Sequence, residues 1–352
     1  MRKISKTEKR EESIMGSINP KAYLVPNLYA KDLPRVKTRD GYGKGLIKAG
    51  EKYPNVVVLC ADLAESTRSH WFQKKFPERF IELGVAEQNM ASLAAGMALV
   101  GKIPFISSYA VFSPGRNNEQ IRTTISYNSW ASRRGKEINV KIGGAHAGIS
   151  VGPDGATHQA LEDVALMRLQ PGMTVLVPCD DRECEKATLA AAAFPGPVYI
   201  RFGRAEYPSL TTEKTPFSIG RIEEFRSGKD CTIIANGPLL YEALLAAKKL
   251  EKDIDCQVLN CHSVKPLDEK MLLAAVRRTG CVVTAEEHQW FGGLGGAVAE
   301  FLSAHYPVPV LRVGVQDRFG ESGEPEELMK AFGLTANDIV KAVRMAVRMK
   351  RK

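Results

Sequence analysis

One acid and two histidines stand out by type and spacing. Glu87 opens an apolar, small-residue stretch in Gly84-Val-Ala-Glu-Gln-Asn-Met90. Further along, His146-Ala-Gly-Ile-Ser-Val-Gly-Pro-Asp-Gly-Ala-Thr-His158-Gln159 sets two imidazoles at either end of a glycine-rich loop. Histidine ordinarily titrates near neutrality and is the natural proton carrier there. An acid in a first helical turn can simply complement the helix dipole. The residues after Glu87, however, are uncharged from Met90 to Gly101. A carboxylate at such a strand-to-helix junction lies at the edge of the sheet, where α/β domains bind ligands. The set suits proton transfer on a bound cofactor.

Other segments invite a functional reading less. Gly292-Gly-Leu-Gly-Gly296 lacks the Lys-Ser/Thr of a phosphate-binding loop and reads as a tight turn that lets a helix pack on a sheet. His288 just before it reads as a structural or interface histidine, and Asp317-Arg-Phe-Gly-Glu-Ser-Gly323 as a polar loop without a role.

The elements that must position these residues alternate. Val56–Cys60, Ile103–Ser107, Val140–Gly143, Met173–Val177 and Val198–Phe202 are β-branched runs that predict buried strands. Between them, 86–100, 161–169 and 181–193 have helical spacing. A polar, proline-flanked break at 204–216 separates this from a second alternation: strands at 231–235, 256–259, 282–285 and 308–313, and helices at 239–250, 270–278, up to 304 and past 336. The expectation is an α/β protein of two domains, each a mostly parallel sheet with helices on both faces. The boundaries are 1–35 for an N-terminal extension draped over a surface, 36–203 for the first domain, 204–220 for a linker and 221–352 for the second domain.

With 352 residues, 44% hydrophobic and 25% charged, the chain has an ordinary globular composition for two domains. The formal charge of +9 suggests nucleic acid until it is located. Residues 1–12 carry five positive and three negative charges and residues 341–352 six positive, so the body between them is nearly neutral. Basic ends on a neutral body argue against nucleic-acid binding. No apolar run reaches the length of a membrane span, and the N-terminus has no apolar signal core, so the cytoplasm is the expected compartment. Cys179/Cys184 and Cys256/Cys261 have the wrong spacing for zinc knuckles, and the seven cysteines read as buried reduced thiols with no metal site.

Ala61-Asp-Leu63, then Gly84-Val-Ala-Glu-Gln88, then Gly152-Pro-Asp-Gly-Ala-Thr-His-Gln159 together resemble the C-terminal half of transketolases, over about residues 36 to 340. The resemblance implies a pyrimidine-binding domain followed by a transketolase C-terminal domain. The family's other half holds diphosphate and metal through a Gly-Asp-Gly motif, which does not occur here. It therefore implies the C-terminal subunit of a split transketolase. An N-terminal partner subunit would hold the diphosphate and Mg2+ or Ca2+, with self-association into a dimer of heterodimers.

On matching positions, Glu87 would hydrogen-bond the aminopyrimidine ring of thiamine diphosphate and favour the tautomer that takes the thiazolium C2 proton. Tyr109 and Phe112 would pack on that ring, and Asp62 would lie near the cofactor at the dimer interface. His158 would move protons at the donor hydroxyl, His146 would hold the ketose head, and Asp154 would accept a hydroxyl hydrogen bond. Arg39, Ser66 and Arg201 would hold the sugar phosphate, with Arg204 close enough to rival Arg201. The family pattern departs here at Gly115, Pro153, Ala156 and Ala160, which leaves donor preference open. The implied reaction moves a two-carbon ketol unit from a ketose phosphate to an aldose phosphate. The alternatives are a 1-deoxyxylulose-5-phosphate synthase, which typically lacks a histidine at the position of His146; a 2-oxo-acid dehydrogenase β subunit, which lacks the Asp-Gly-Ala-Thr-His-Gln pattern; and a non-catalytic assembly subunit.

Overall fold

The computed structural model describes residues 16–131 and 138–350. The basic stretch at 1–12 and the final Arg351 and Lys352 lie outside the described residues. The strands among the described residues are β1 (Arg35–Lys37), β2 (Val56–Cys60), β3 (Phe80–Glu82), β4 (Ile103–Tyr109), β5 (Lys141–Ala145), β6 (Thr174–Leu176), β7 (Val198–Arg201), β8 (Glu206–Pro208), β9 (Glu223–Arg226), β10 (Cys231–Ala235), β11 (Cys256–Asn260), β12 (Ser263–Lys265), β13 (Val282–Gln289) and β14 (Val310–Val315).

Seven strands form one sheet in the order β12-β6-β7-β5-β4-β2-β3, and five form another in the order β14-β13-β10-β11-β9. Pairing is parallel throughout except where β12 meets β6 and β9 meets β11. The architecture is the α/β, two-domain, mostly parallel one expected from the alternating pattern. Every residue of β2, β5, β10 and β11 is buried, because helices cover both faces and leave neither face of the strand open to solvent. The helix Glu87–Leu99 buries Met90, Ala91, Ala94 and Ala95, one face at helical spacing, beside Val57, Leu59 and Ile106.

The division into domains is less clean than composition suggests. β12 follows the second domain's β11 but pairs with β6, with Ser263 opposite Leu176 and Lys265 opposite Val175. A three-residue strand has no periodicity to read. β8 falls inside the segment read as a linker, yet it pairs with β1 through Arg35↔Pro208, Val36↔Tyr207 and Lys37↔Glu206. Residues 16–34 run along the second domain and the linker. Ile18 bridges to Arg226, Asn19 N–H donates to Phe225 O at 2.9 Å, and the hydroxyls of Thr212 and Thr215 donate to Tyr23 O at 2.6 and 3.0 Å.

A buried charge pair also crosses the junction. Glu183 of the helix Asp181–Ala193 lies 3.3 Å from His262 Nδ1 and accepts from Asn260 Nδ2 at 2.6 Å. Burial works against both charges, but each outweighs it for the other, so His262 is held above its ordinary value and Glu183 below.

Candidate active site

Glu87 is delivered by a turn that its neighbours build. Glu82, at the end of β3, accepts the N–H groups of Asp62, Leu83 and Gly84 at 2.8, 3.0 and 3.0 Å. This one carboxylate sets the approach to the helix and holds Asp62, whose φ is 57°, beside it. Gly84 takes φ 67°, a conformation that a Cβ would strain. Glu87 then opens the helix, 3% exposed, with both carboxylate oxygens near Arg116 Nη1 at 3.2 and 3.3 Å. The Arg116 guanidinium also lies 3.9 Å over the Phe112 ring. Asn117 Nδ2 donates to Glu87 O at 3.2 Å. Glu82, Arg116 and Asn117 were not singled out from sequence, and an acid or arginine whose partner lies about 20 to 30 residues away gives no local signal.

β4 ends at Tyr109, and its ring gathers the other chemical groups. Phe112 stacks on it at 5.7 Å and 20°, His146 at 4.1 Å and 22°, and His158 meets Tyr109 and Phe112 edge-on at 6.1 and 5.5 Å. The two histidines and the aromatic pair named from sequence therefore share one wall. His146 leaves β5 with φ 52° and is buried. Its Nε2 lies 2.9 Å from Arg39 Nη1, which can only donate, so Nε2 accepts and Nδ1 carries the hydrogen. Nδ1 has no hydrogen-bond partner among the described residues. Burial, then the charges of Arg39 and Arg204, pushes His146 down to about 3. This imidazole stays neutral near pH 7 and suits orienting a ligand rather than carrying a proton. His158 is half-buried, with Nδ1 2.9 Å from the Thr157 hydroxyl, and is the better placed of the two to exchange protons.

The cationic residues separate into open and closed ones. Arg39 stands in the first turn of the helix Thr38–Lys52 and also donates to Ser66 O at 3.0 Å. Thr38 Oγ1 exchanges hydrogen bonds with Gly203, accepting from its N–H at 2.9 Å and donating to its O at 3.2 Å. That clasp brings Arg39 and Arg204 to the same side. Arg204 is half-buried, donates to Val151 O at 2.7 Å and lies 3.8 Å from Asp154. Arg35, Lys37, Arg39, Ser150 and Arg204 line a cleft of about 640 Å³, closed on the other side by Glu324–Glu327 of the second domain.

Arg201 is not in it. Its guanidinium is 4% exposed, bonds Asp163 at 2.8 Å and donates to Ala160 O and Glu287 O at 3.2 and 2.8 Å. The assignment of Arg201 to a phosphate is corrected: it is an interior residue with Nε and Nη2 engaged by Asp163, Ala160 and Glu287, and Arg204 lines the cleft.

Gly292–Gly296 is a turn and not a cradle. Glu286 accepts the N–H groups of Leu294 and Gly295 at 2.7 Å each, filling the helix N-terminus where an anion would sit. Nearby His288 is buried, with Nδ1 2.8 Å from Gln289 O. All seven cysteines are free and buried.

These residues fit a planar, nitrogen-bearing cofactor ring. There is a buried carboxylate, a stacked aromatic pair joined to it through Arg116, and an imidazole nitrogen without a partner among the described residues. Family models agree in sequence: "Transketolase, pyrimidine binding domain" matches residues 35–209 and "Transketolase, C-terminal domain" matches 220–339. A 6-deoxy-6-sulfo-D-fructose transketolase subunit from Clostridium sp. is 42% identical over 305 residues, covering 86% of this chain and 92% of that one. Human transketolase is 36% identical over 331 residues, which is 91% of this chain but 51% of the human one. Among solved structures, a split-gene transketolase described as an inactive β4 tetramer is 48% identical with a TM-score of 0.82, covering 90% of this chain and all of that one. With both models matched and most of its length aligned to these relatives, the chain belongs to the transketolase family.

Proposed function

We propose that this chain is the C-terminal subunit of a two-chain, thiamine diphosphate-dependent transketolase. It moves a two-carbon ketol unit from a ketose phosphate to an aldose phosphate. The observation that carries the reading is Glu87: a nearly inaccessible carboxylate at a helix start, joined through Arg116 to the stacked Phe112 and Tyr109. Glu87 would hold the ring nitrogen of the aminopyrimidine, and Tyr109 and Phe112 would pack on the ring. Bound there, the cofactor supplies the electron sink for breaking the ketose carbon–carbon bond. His158 would exchange a proton with the substrate hydroxyl. Neutral His146 would hold the carbonyl end, and Asp154 would accept from a hydroxyl. Arg39 and Arg204, near Ser66, would hold the anionic end of the sugar. Asp62 would stand by the cofactor at the subunit boundary.

The partner is an N-terminal subunit that holds the diphosphate with Mg2+ or Ca2+, in a dimer of heterodimers in the cytoplasm. The half-length match to human transketolase and the inactive β4 assembly of the solved split-gene chain support this division of labour. A sulfonated sugar is a substrate in the name of one relative, so the anionic group gripped by Arg39 and Arg204 is the point on which donor choice turns.

The test is reconstitution. Alone the chain should be inactive, and ketol transfer should appear when it is mixed with an N-terminal subunit, magnesium and thiamine diphosphate. Glu87→Ala in the reconstituted enzyme should abolish exchange of the thiazolium C2 proton followed by NMR. Exchange at the wild-type rate would refute the assignment.

A further inference from the structure

The loop Asp317–Gly323, to which sequence gives no role, packs against the loop that carries Asp154 and His158. The link is Gln159. Its side chain is buried, and its Nε2 lies 3.0 Å from Ile149 O, 3.4 Å from Gly152 O and 2.9 Å from Glu321 O. An amide nitrogen has two hydrogens. The two shorter bonds use them, one to each domain, and the third contact is secondary. On the other side of the amide, a Cβ at Gly320 would overlap Gln159 Oε1, so glycine there is what lets the side chain in. His158 and Gln159 share one turn, both N–H groups donating to Gly155 O at 3.0 and 3.2 Å. From that turn the imidazole reaches Tyr109 and Phe112, while the amide reaches the second domain.

We propose, resting on the transketolase reading above, that Gln159 is a positioning residue for the transfer reaction. It ties residues 149–158 to the 317–323 loop, so that the second domain fixes where His158 and Asp154 meet the sugar. Buried donors facing carbonyls on both sides specify one loop geometry. A displacement on the order of an ångström at a proton-transferring group is enough to slow a reaction strongly.

The experiment compares wild type, Gln159→Leu, Gly320→Ala and the double variant, each assembled with an N-terminal subunit, magnesium and thiamine diphosphate. Each single variant should lose roughly 10- to 100-fold in turnover. The thiamine diphosphate concentration for half-maximal rate should move by less than about twofold, because Glu87, Tyr109 and Phe112 are untouched. The double variant should be no slower than the slower single, since both changes break one link. Amide hydrogen exchange over 149–158 in the isolated chain, which needs no activity, should speed up in both singles. Unchanged exchange in both singles overturns the link. Faster exchange with turnover near wild type overturns the positioning role, and so does a loss of turnover matched by an equal loss of cofactor affinity. A wild-type assembly with no ketol transfer sinks the functional reading and this proposal together, and is recognised because wild type itself fails.

Discussion

Two glycine-rich segments of this chain look alike on paper and do opposite things. Between His146 and His158 the loop leaves polar groups unsatisfied or accessible: buried His146 Nδ1 has no partner among the described residues, and His158 is half-buried against an aromatic wall. At Gly292–Gly296 the polar ends are already taken, with two N–H groups held by Glu286 of the same chain. Glycine content measures how closely backbone can approach something. Whether that something is a ligand or the protein itself depends on which groups remain unsatisfied. Arg201 and Arg204 repeat the lesson three residues apart, one interior and paired with Asp163, the other open to a cleft.

The contrast is sharpest at its open end. His158→Ala in the reconstituted enzyme should lower turnover by roughly 10²- to 10⁴-fold. Stability to urea should stay within about 0.5 kcal/mol, because the side chain makes no interior bond that folding needs. A large stability loss with turnover intact would reverse the assignment of open and closed.

Next in size is the arginine pair. Arg201→Met should destabilise by about 3–5 kcal/mol, since it strands Asp163 without its cation. Arg204→Met should leave denaturation nearly unchanged and raise KM for the sugar phosphate. Exchanged outcomes in those two measurements would restore Arg201 to the substrate. The smallest effect belongs to the closed turn. Glu286→Ala should cost about 1–3 kcal/mol, read by urea denaturation, because it frees two N–H groups at a buried helix start. Turnover per folded molecule should not change.

Much of this was legible in the residues. The apolar and β-branched runs of β2, β4, β7 and β10 announced a parallel sheet because strands buried on both faces read as near-continuous apolar runs instead of alternating with polar residues. Glu87, His146 and His158 could be singled out because charge and imidazole are conspicuous in small-residue, glycine-rich surroundings. What escaped depends on direction or on distance along the chain. Sequence cannot say that Arg201 turns inward while Arg204 turns outward, since both follow the same apolar run. Glu82 through Asp62, Arg116 through Glu87 and Gln159 through Glu321 act on groups far along the chain, and no local spacing marks them. The loop at 317–323 looked idle because its partner, the 149–159 loop, lies in the other domain.

The tongue Ser263–Lys265 has a consequence for how such a chain tolerates cutting. It lends its edge to the sheet of the first half, so the polar joint at 204–220 is a boundary in composition but not in hydrogen bonding. Nicked there, the halves would stay clasped. Separated there, β6 would face water as a bare, ladder-ready margin that invites aggregation. Fission of a protein built this way is tolerable only where no ladder bridges the cut.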